Sequence, residues 1–257
     1  MSIDFSIVIP TYNSEKFLSE TIESIKIQDR SIKIELIFSD GGSKDSTLKI
    51  IEKLYQDNLS KIVLHDQVGM TVALNQGFKM AQGKYLSYLN SDDKLNSNAL
   101  LSIKKSFEEN NNHEWIIGLC DNFGNKKILN RIINYYKALL LKKINFNLLC
   151  INNVISQPSV FWKKSFFDSI GNFNEKLKFN MDYDMWIRMI NVSDPLKLQR
   201  NISYFRRHNE SLSHKNSFKQ FCEKYKTMKK YNRNILIHLV HLSLSSMILF
   251  IYKITNY

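Results

Sequence analysis

The chain is poor in the residues that make a protein flexible, cross-linked or exported. Eight glycines and three prolines in 257 residues leave no linker and no low-complexity stretch, and no internal repeat is visible. The three cysteines, Cys120, Cys150 and Cys222, stand far apart without a C-x-x-C pair. That excludes a zinc frame or a disulfide framework and reads as buried thiols in a reducing compartment. The opening Met1-Ser2-Ile3-Asp4-Phe5 lacks a basic region and carries an acid, so no secretory signal is expected and a cytoplasmic location follows. No G-x-G-x-x-G follows the first apolar run, which excludes the usual dinucleotide loop. Gly77 to Lys84 imitates a Walker A loop, but its spacing is one residue too long and Tyr85 stands where a metal-binding Ser or Thr is required.

What is present argues for a packed enzyme-sized domain. Hydrophobic residues make up 44%, with 12 tyrosines and 16 phenylalanines, so disorder is excluded and one large domain, or one with an appendage, is expected. A net charge of +12 favours anionic partners such as phosphorylated small molecules or a membrane surface. The charge concentrates from Arg206 to Arg233, where nine cations face only Glu210 and Glu223.

Strand and helix signals alternate through the first 120 residues. Apolar runs at Phe5 to Ile9, Ile34 to Phe38, Ile62 to Leu64, Tyr85 to Leu89 and Trp115 to Cys120 read as strands. Between them, helical spacing places Leu18, Ile22 and Ile25 on one face, and likewise Leu48, Ile51 and Leu54. Further helices are expected at Thr71 to Ala81 and Asn98 to Phe107. The pattern predicts an α/β fold with a mainly parallel sheet flanked by helices, whose ligands bind beyond the carboxyl ends of the strands. Later, Arg131 to Lys143 reads as a helix, Val154 to Trp162 as a strand, Met181 to Ile190 as a helix and Leu196 to Phe205 as a strand.

Polar clusters lie at those strand ends. Pro10-Thr11-Tyr12-Asn13 follows the first strand, and Ser39-Asp40-Gly41-Gly42-Ser43 the second. Asp66 follows the third, and Asn90-Ser91-Asp92-Asp93 the fourth. Adjacent carboxylates at a strand exit suit a hard divalent cation that shares its shell with phosphate oxygens.

Together with Met181-Asp182-Tyr183-Asp184-Met185-Trp186-Ile187-Arg188, Gln157-Pro158-Ser159 and Arg207-His208-x-x-Ser211-x-Ser213, these segments resemble the inverting family 2 glycosyltransferases of the GT-A (Rossmann-like) fold. The resemblance covers roughly residues 5 to 213 and is of the bacterial surface-polysaccharide type. It implies transfer of a sugar from a nucleoside diphosphate sugar to an acceptor hydroxyl with Mg²⁺ or Mn²⁺. Pro10, Tyr12, Asp40, Asp66 and Asn90 would line the nucleotide, with Tyr12 and Asp40 at the base and Asn90 at the ribose. Asp92 would be the metal ligand, assisted by Asp93, with His208 as a metal or diphosphate ligand. Asp182 would be the catalytic base. Three positions depart from the family pattern: Asn90 replaces the first acid of D-x-D, Met181 replaces the acid before the base, and Val72 stands where an acid is common. The second departure makes Asp184 the rival base, although residues two apart on a helix cannot face one site. A non-catalytic nucleotide-sugar-binding or membrane scaffold protein is the alternative.

A glycosyltransferase domain over residues 1–214 is thus expected, followed by a C-terminal helical extension over 215–257. Ile235 to Tyr252 carries no charge, but Asn234, His238, His241 and Ser245 form a polar stripe at helical spacing. A helix lying in the inner face of the cell membrane, near a lipid-linked or glycan acceptor, fits better than a span; packing on protein is the competing possibility. No nucleic acid partner is expected.

Overall fold

In the computed structural model the described residues are 2–54, 60–124, 127–208 and 217–255. Four parallel strands build the first half: β1 (Phe5–Thr11), β2 (Ile34–Asp40), β3 (Ser60–Leu64) and β4 (Tyr85–Tyr88), in the order β3-β2-β1-β4. The sheet continues through β7 (Val160–Lys163), β6 (Trp115–Gly124), β8 (Leu196–Arg207) and the two-residue β5 (Lys94–Leu95). β7 runs antiparallel to both β4 and β6, and β5 antiparallel to β8, while β6 and β8 are parallel. The sheet is therefore parallel in its first half and mixed in its second.

Strand periodicity sorts the core into two layers. Val8, Ile37, Leu86, Tyr88, Ile117 and Trp162 point to one side. Ile7, Ile9, Leu36, Phe38, Tyr85 and Phe161 point to the other, where α1 (Leu18–Lys26), α2 (Thr47–Leu54) and α4 (Ala99–Glu109) cover them. The first layer is covered by α3 (Met70–Lys79), α6 (Phe146–Ile151), α7 (Lys164–Ile170) and α8 (Met181–Ile190). Helix α5 (Lys127–Leu141) packs against β6.

The expected strand over 154–162 is shorter than its apolar run. Gln157–Ser159 forms a 3-10 turn and only Val160–Lys163 joins the sheet. Pro158 has no N–H to give a ladder, and the Gln157 side chain instead donates to the Tyr88 carbonyl at 2.5 Å.

Two helices end the chain: α9 (Ser217–Tyr231) and α10 (Ile235–Thr255). Among the described residues no helix is long and apolar enough to cross a membrane. Three members of the polar stripe, His238, His241 and Ser245, are buried, while Asn234 is exposed just before α10; His241 Nδ1 meets the Cys150 carbonyl at 2.8 Å, and His238 Nε2 meets the Asn232 carbonyl at 2.7 Å. Outward lie Leu236, Leu239, Val240, Met247 and Phe250. Ser211, Ser213, Glu210, Lys215 and the expected boundary at 214 fall outside the described residues.

Candidate active site

The loops after β1 and β2 are stitched into one wall. Thr11 Oγ1 donates to Asp40 Oδ2 at 2.7 Å, and Gly41 N donates to the Thr11 carbonyl at 2.8 Å. Asp40 Oδ1 takes the N–H groups of Gly42 at 3.0 Å and Ser43 at 2.7 Å, and Oδ2 also takes the Ser43 hydroxyl at 2.6 Å. Gly42 turns there with φ +91°, a conformation that suits glycine. Both oxygens of Asp40 are thus used by the fold, and the carboxylate is buried at 1% exposure. Asp40 thereby sets the loop beneath Tyr12. Tyr12 is the group on display, with 59% of its surface open. Pro10 is buried in β1 opposite Ser39, and Asp66 is exposed in the turn after β3.

The turn after β4 holds the acids. Asp93 N donates to the Asn90 carbonyl at 3.1 Å, closing the turn. Asp93 is fully buried: Oδ1 takes Arg206 N–H at 2.9 Å and Oδ2 takes Asn90 Nδ2 at 3.2 Å. Burial, then the adjacent Asp92 carboxylate, pushes the Asp93 carboxyl well above the usual range. It braces the turn, in contrast to the expected helper role at a metal. Asp92 stays partly exposed, and its Oδ2 meets His208 Nε2 at 2.9 Å. The structure therefore joins two of the residues named from sequence, 116 positions apart. Arg206 locks this corner by donating from Nε to the Asp92 carbonyl at 2.9 Å and pairing with Glu20 at 2.8 Å. Its guanidinium lies between the Phe17 and Phe123 rings, at 4.3 and 4.5 Å.

Among the described residues no three His, Cys, Asp or Glu side chains converge as a complete cation cage. The donors at this corner nonetheless fit a divalent ion that shares its shell with phosphates. Asp92 offers carboxylate oxygen, and Asn90 Oδ1 is a buried acceptor without a hydrogen-bond partner. His208 brings imidazole nitrogen.

Asp182 sits in the first turn of α8, partly exposed, with Oδ1 accepting Tyr183 N–H at 2.7 Å. Burial raises its pKa to about 6, against the lowering effect of the Tyr183 N–H and of Lys224 and Lys137. Asp184 points the other way, as the helical period requires. It is buried, ion-paired with Arg188 Nε at 3.0 Å and bonded to the Tyr231 hydroxyl at 2.9 Å. The rival base is thereby a structural acid, and Arg188 is its partner. Tyr88, at the end of β4, is held above its ordinary pKa by burial and then by the charges of Asp182 and Asp93.

Residues 6–171 match the family model for glycosyl transferase family 2. The chain belongs to glycosyl transferase family 2. An uncharacterised glycosyltransferase of Rickettsia conorii is 31% identical over 203 residues, covering 77% of this chain and 33% of that protein. This family 2 chain thus spans about a third of that relative's length. The poly(ribitol-phosphate) beta-N-acetylglucosaminyltransferase TarS of Staphylococcus aureus is 32% identical over 117 residues, 44% of this chain and 20% of TarS. A crystal structure of TarS 1-349 with UDP-GlcNAc superposes with a TM-score of 0.67 at 17% identity, covering 92% of this chain and 69% of that one. The mannosyltransferase PcManGT of Pyrobaculum calidifontis, in complex with GDP-Man and Mn²⁺, superposes at 0.68 with 13% identity, covering 95% and 70%. At these identities the superpositions show the GT-A fold alone.

Three residues around α8 escaped the sequence reading. Lys137 on α5 and Lys224 on α9 act electrostatically on Asp182. Glu223 takes the backbone N–H groups of Phe179 and Asn180, each at 2.8 Å, just before α8. Glu223 carried a signal, being an acid alone among cations; Lys137 carried none.

Proposed function

We propose that the chain transfers a sugar from a nucleoside diphosphate sugar to an acceptor hydroxyl with inversion, in the synthesis of a bacterial surface polymer. The observation that carries the reading is Asp182. It is a partly exposed carboxylate in the first turn of α8, with its pKa raised by burial to about 6. Such a group is largely ionised at neutral pH and basic enough to take a proton in the transition state. The acceptor O–H proton passes to Asp182 as that oxygen attacks the anomeric carbon. The bond from that carbon to the diphosphate oxygen breaks, and the diphosphate leaves with the electron pair from the opposite face. A divalent cation held by Asp92 with Asn90 Oδ1 and His208 would offset charge on the departing diphosphate. Tyr12 would stack on the base, Asp40 and Pro10 hold its loop, Asn90 reach the ribose and Asp66 approach the donor from the rim. The TarS and PcManGT ligands support a nucleotide sugar as donor, and the name of TarS supports a polyol-phosphate polymer as acceptor.

The test is turnover of UDP-GlcNAc and GDP-Man with Mn²⁺ by the full chain. Asp182→Asn is expected to lower kcat by about 10²–10⁴-fold with donor binding intact. Wild-type turnover in that variant would sink the base assignment, activity in a chelator would sink the metal role, and no donor binding at all would favour the scaffold alternative.

The outward apolar row of α10, next to exposed Lys229, Lys230 and Arg233, supports contact with the inner membrane face. Leu236→Asp with Leu239→Asp should release the chain from vesicles containing anionic lipid. Unchanged sedimentation would assign that row to a protein partner.

A further inference from the structure

The apolar row of a helix normally turns into the core, because its burial holds the helix to the fold. On α5 such a row points outward. Ile128, Ile132, Tyr135 and Leu139 are all exposed, from 46% at Leu139 to 79% at Ile128. Their spacings of four, three and four put them within about 60° of one another by the 3.6-residue period. Leu141, on the opposite side of the helix, is the residue that enters the core. Contiguous apolar surface of this kind marks a contact. The charges beside it select the partner. Between Asp121 and Asp168 the sequence has no acid, and Arg131, Lys142 and Lys143 stand exposed along α5 and just past its end. Asp121 shares a groove with Arg131 and Tyr135, but it is half-buried and accepts from Asn201 Nδ2 at 2.9 Å. Lysine is depleted where proteins meet one another, whereas each cation near an anionic lipid surface strengthens binding by about fivefold. Tyrosine suits the same boundary, with its ring toward the acyl chains and its hydroxyl toward the headgroups.

α5 and α10 are tied to one stretch of chain at the end of α6. Tyr136 Oη accepts from Asn152 Nδ2 at 3.1 Å, and His241 Nδ1 meets the Cys150 carbonyl at 2.8 Å. Leu141, Leu149 and Ile237, from α5, α6 and α10, enter the same core layer, so the three helices lie on one side of the sheet. We propose that α5 is a second lipid-contacting helix, and that α5 and α10 together seat the chain on an anionic membrane surface. The role of α5 stands on its own row and charges; the joint seat rests on the reading of α10 as a membrane contact. A single helix leaves the chain able to roll about the helix axis, whereas two set the tilt at which the carboxyl ends of the strands meet the surface.

Sedimentation of the full chain with vesicles tests this, using phosphatidylcholine alone or equal parts of phosphatidylcholine and phosphatidylglycerol. Ile128→Glu with Ile132→Glu should weaken binding to the anionic vesicles by about tenfold or more, the size of apolar side chains withdrawn from lipid. Lys142→Gln with Lys143→Gln should cost about fivefold per charge there and leave binding to the neutral vesicles unchanged. Leu236→Asp with Leu239→Asp should weaken binding independently, so that the α5 and α10 effects multiply. Tyr135→Trp supplies a local reporter: Trp115, Trp162 and Trp186 are fully buried, so a blue shift of emission on adding anionic vesicles reports entry of position 135 into lipid. Unchanged sedimentation in both α5 variants, or no shift in Tyr135→Trp, overturns the role of α5, even where the α10 pair releases the chain. Release by the α5 variants alone keeps α5 and removes α10 from the seat. If the wild type binds neither vesicle, both helices lose the assignment. A wild-type dimer made monomeric by Ile128→Glu with Ile132→Glu, with no vesicle binding, gives the row to a second copy of the chain and overturns the proposal.

Discussion

Replacing Glu223 by alanine would remove the acceptor for three backbone N–H groups, those of Lys178, Phe179 and Asn180, at 3.0, 2.8 and 2.8 Å. These are the residues that lead into α8, and α8 carries Asp182 in its first turn. A carboxylate at that end also complements the positive end of the helix dipole. The Lys178 bond is exposed, so water can replace Glu223 there. The other two are partly buried, and charge-assisted bonds of this kind contribute about 1.5 kcal/mol each. The expected loss is therefore about 3 kcal/mol, or roughly 6–12 °C in Tm at about 2–4 °C per kcal/mol for a domain of this size. Glu223→Gln keeps an acceptor oxygen and should lose only about 1 kcal/mol. In a transfer assay below the melting range, the alanine variant should lose kcat, because the turn holding the base is loosened, while KM for the donor is unchanged. An alanine variant that melts with the wild type and turns over at the wild-type rate would refute the claim that α9 positions Asp182.

Three further outcomes follow from the same geometry. With Asp182 near pKa 6, kcat/KM should climb as pH rises through about 6; removing the Lys224 charge should move that limb to higher pH, because the cation favours the ionised carboxylate. Gly83→Ala should cost about 1–3 kcal/mol in thermal melts, since a Cβ there would lie 2.4 Å from Ser6 N and 2.6 Å from the Phe5 carbonyl carbon, both backbone atoms. Tyr231→Phe should cost about 1 kcal/mol through the lost bond to Asp184 and leave turnover unchanged, because Arg188 still pairs with that acid.

The first half of the sheet was legible because its signals are local. Each parallel strand is an apolar run ending in a polar loop, and the helices between them are amphipathic over at least two turns. The two-residue β5, the six-residue α6 and the seven-residue α7 are too short for periodicity to register. Among site residues, the helical period said that only one of Asp182 and Asp184 could face the site, but which of the two emerged only from the packing of α8, where Asp184 is taken by Arg188 and Tyr231. Asp40 and Asp93 were harder. Their residue types are those of ligands, but carboxylates that gather backbone N–H groups and neighbouring hydroxyls look identical in sequence to carboxylates that await a substrate. Which of the two occurs depends on donors such as Thr11 and Arg206, which lie 29 and 113 residues away. Nothing local announces them.

The C-terminal helices were read from sequence as an appendage, and charge was the reason. A run of lysines resembles a solvated or membrane-facing segment, and the stripe of Asn234, His238, His241 and Ser245 resembles the wet side of an amphipathic helix. Inside the fold much of that polarity is reversed: His238, His241 and Ser245 are buried, with the two histidines on the Asn232 and Cys150 carbonyls, while Leu236, Leu239, Val240, Met247 and Phe250 face out. The basic run is divided too, since Lys224 Nζ lies 5.6 Å from the Tyr183 ring centre on α8 while Lys229 and Lys230 remain exposed. One segment thus holds the helix of the base, charges its surroundings and presents the outward apolar row. Deleting residues 235–257 would confound these roles, because α10 packs on both α6 and α9, and loss of activity would then say nothing about a membrane. Substitutions confined to Leu236 and Leu239 leave the His238 and His241 contacts in place, so only they separate a surface for lipid from a brace for the active site.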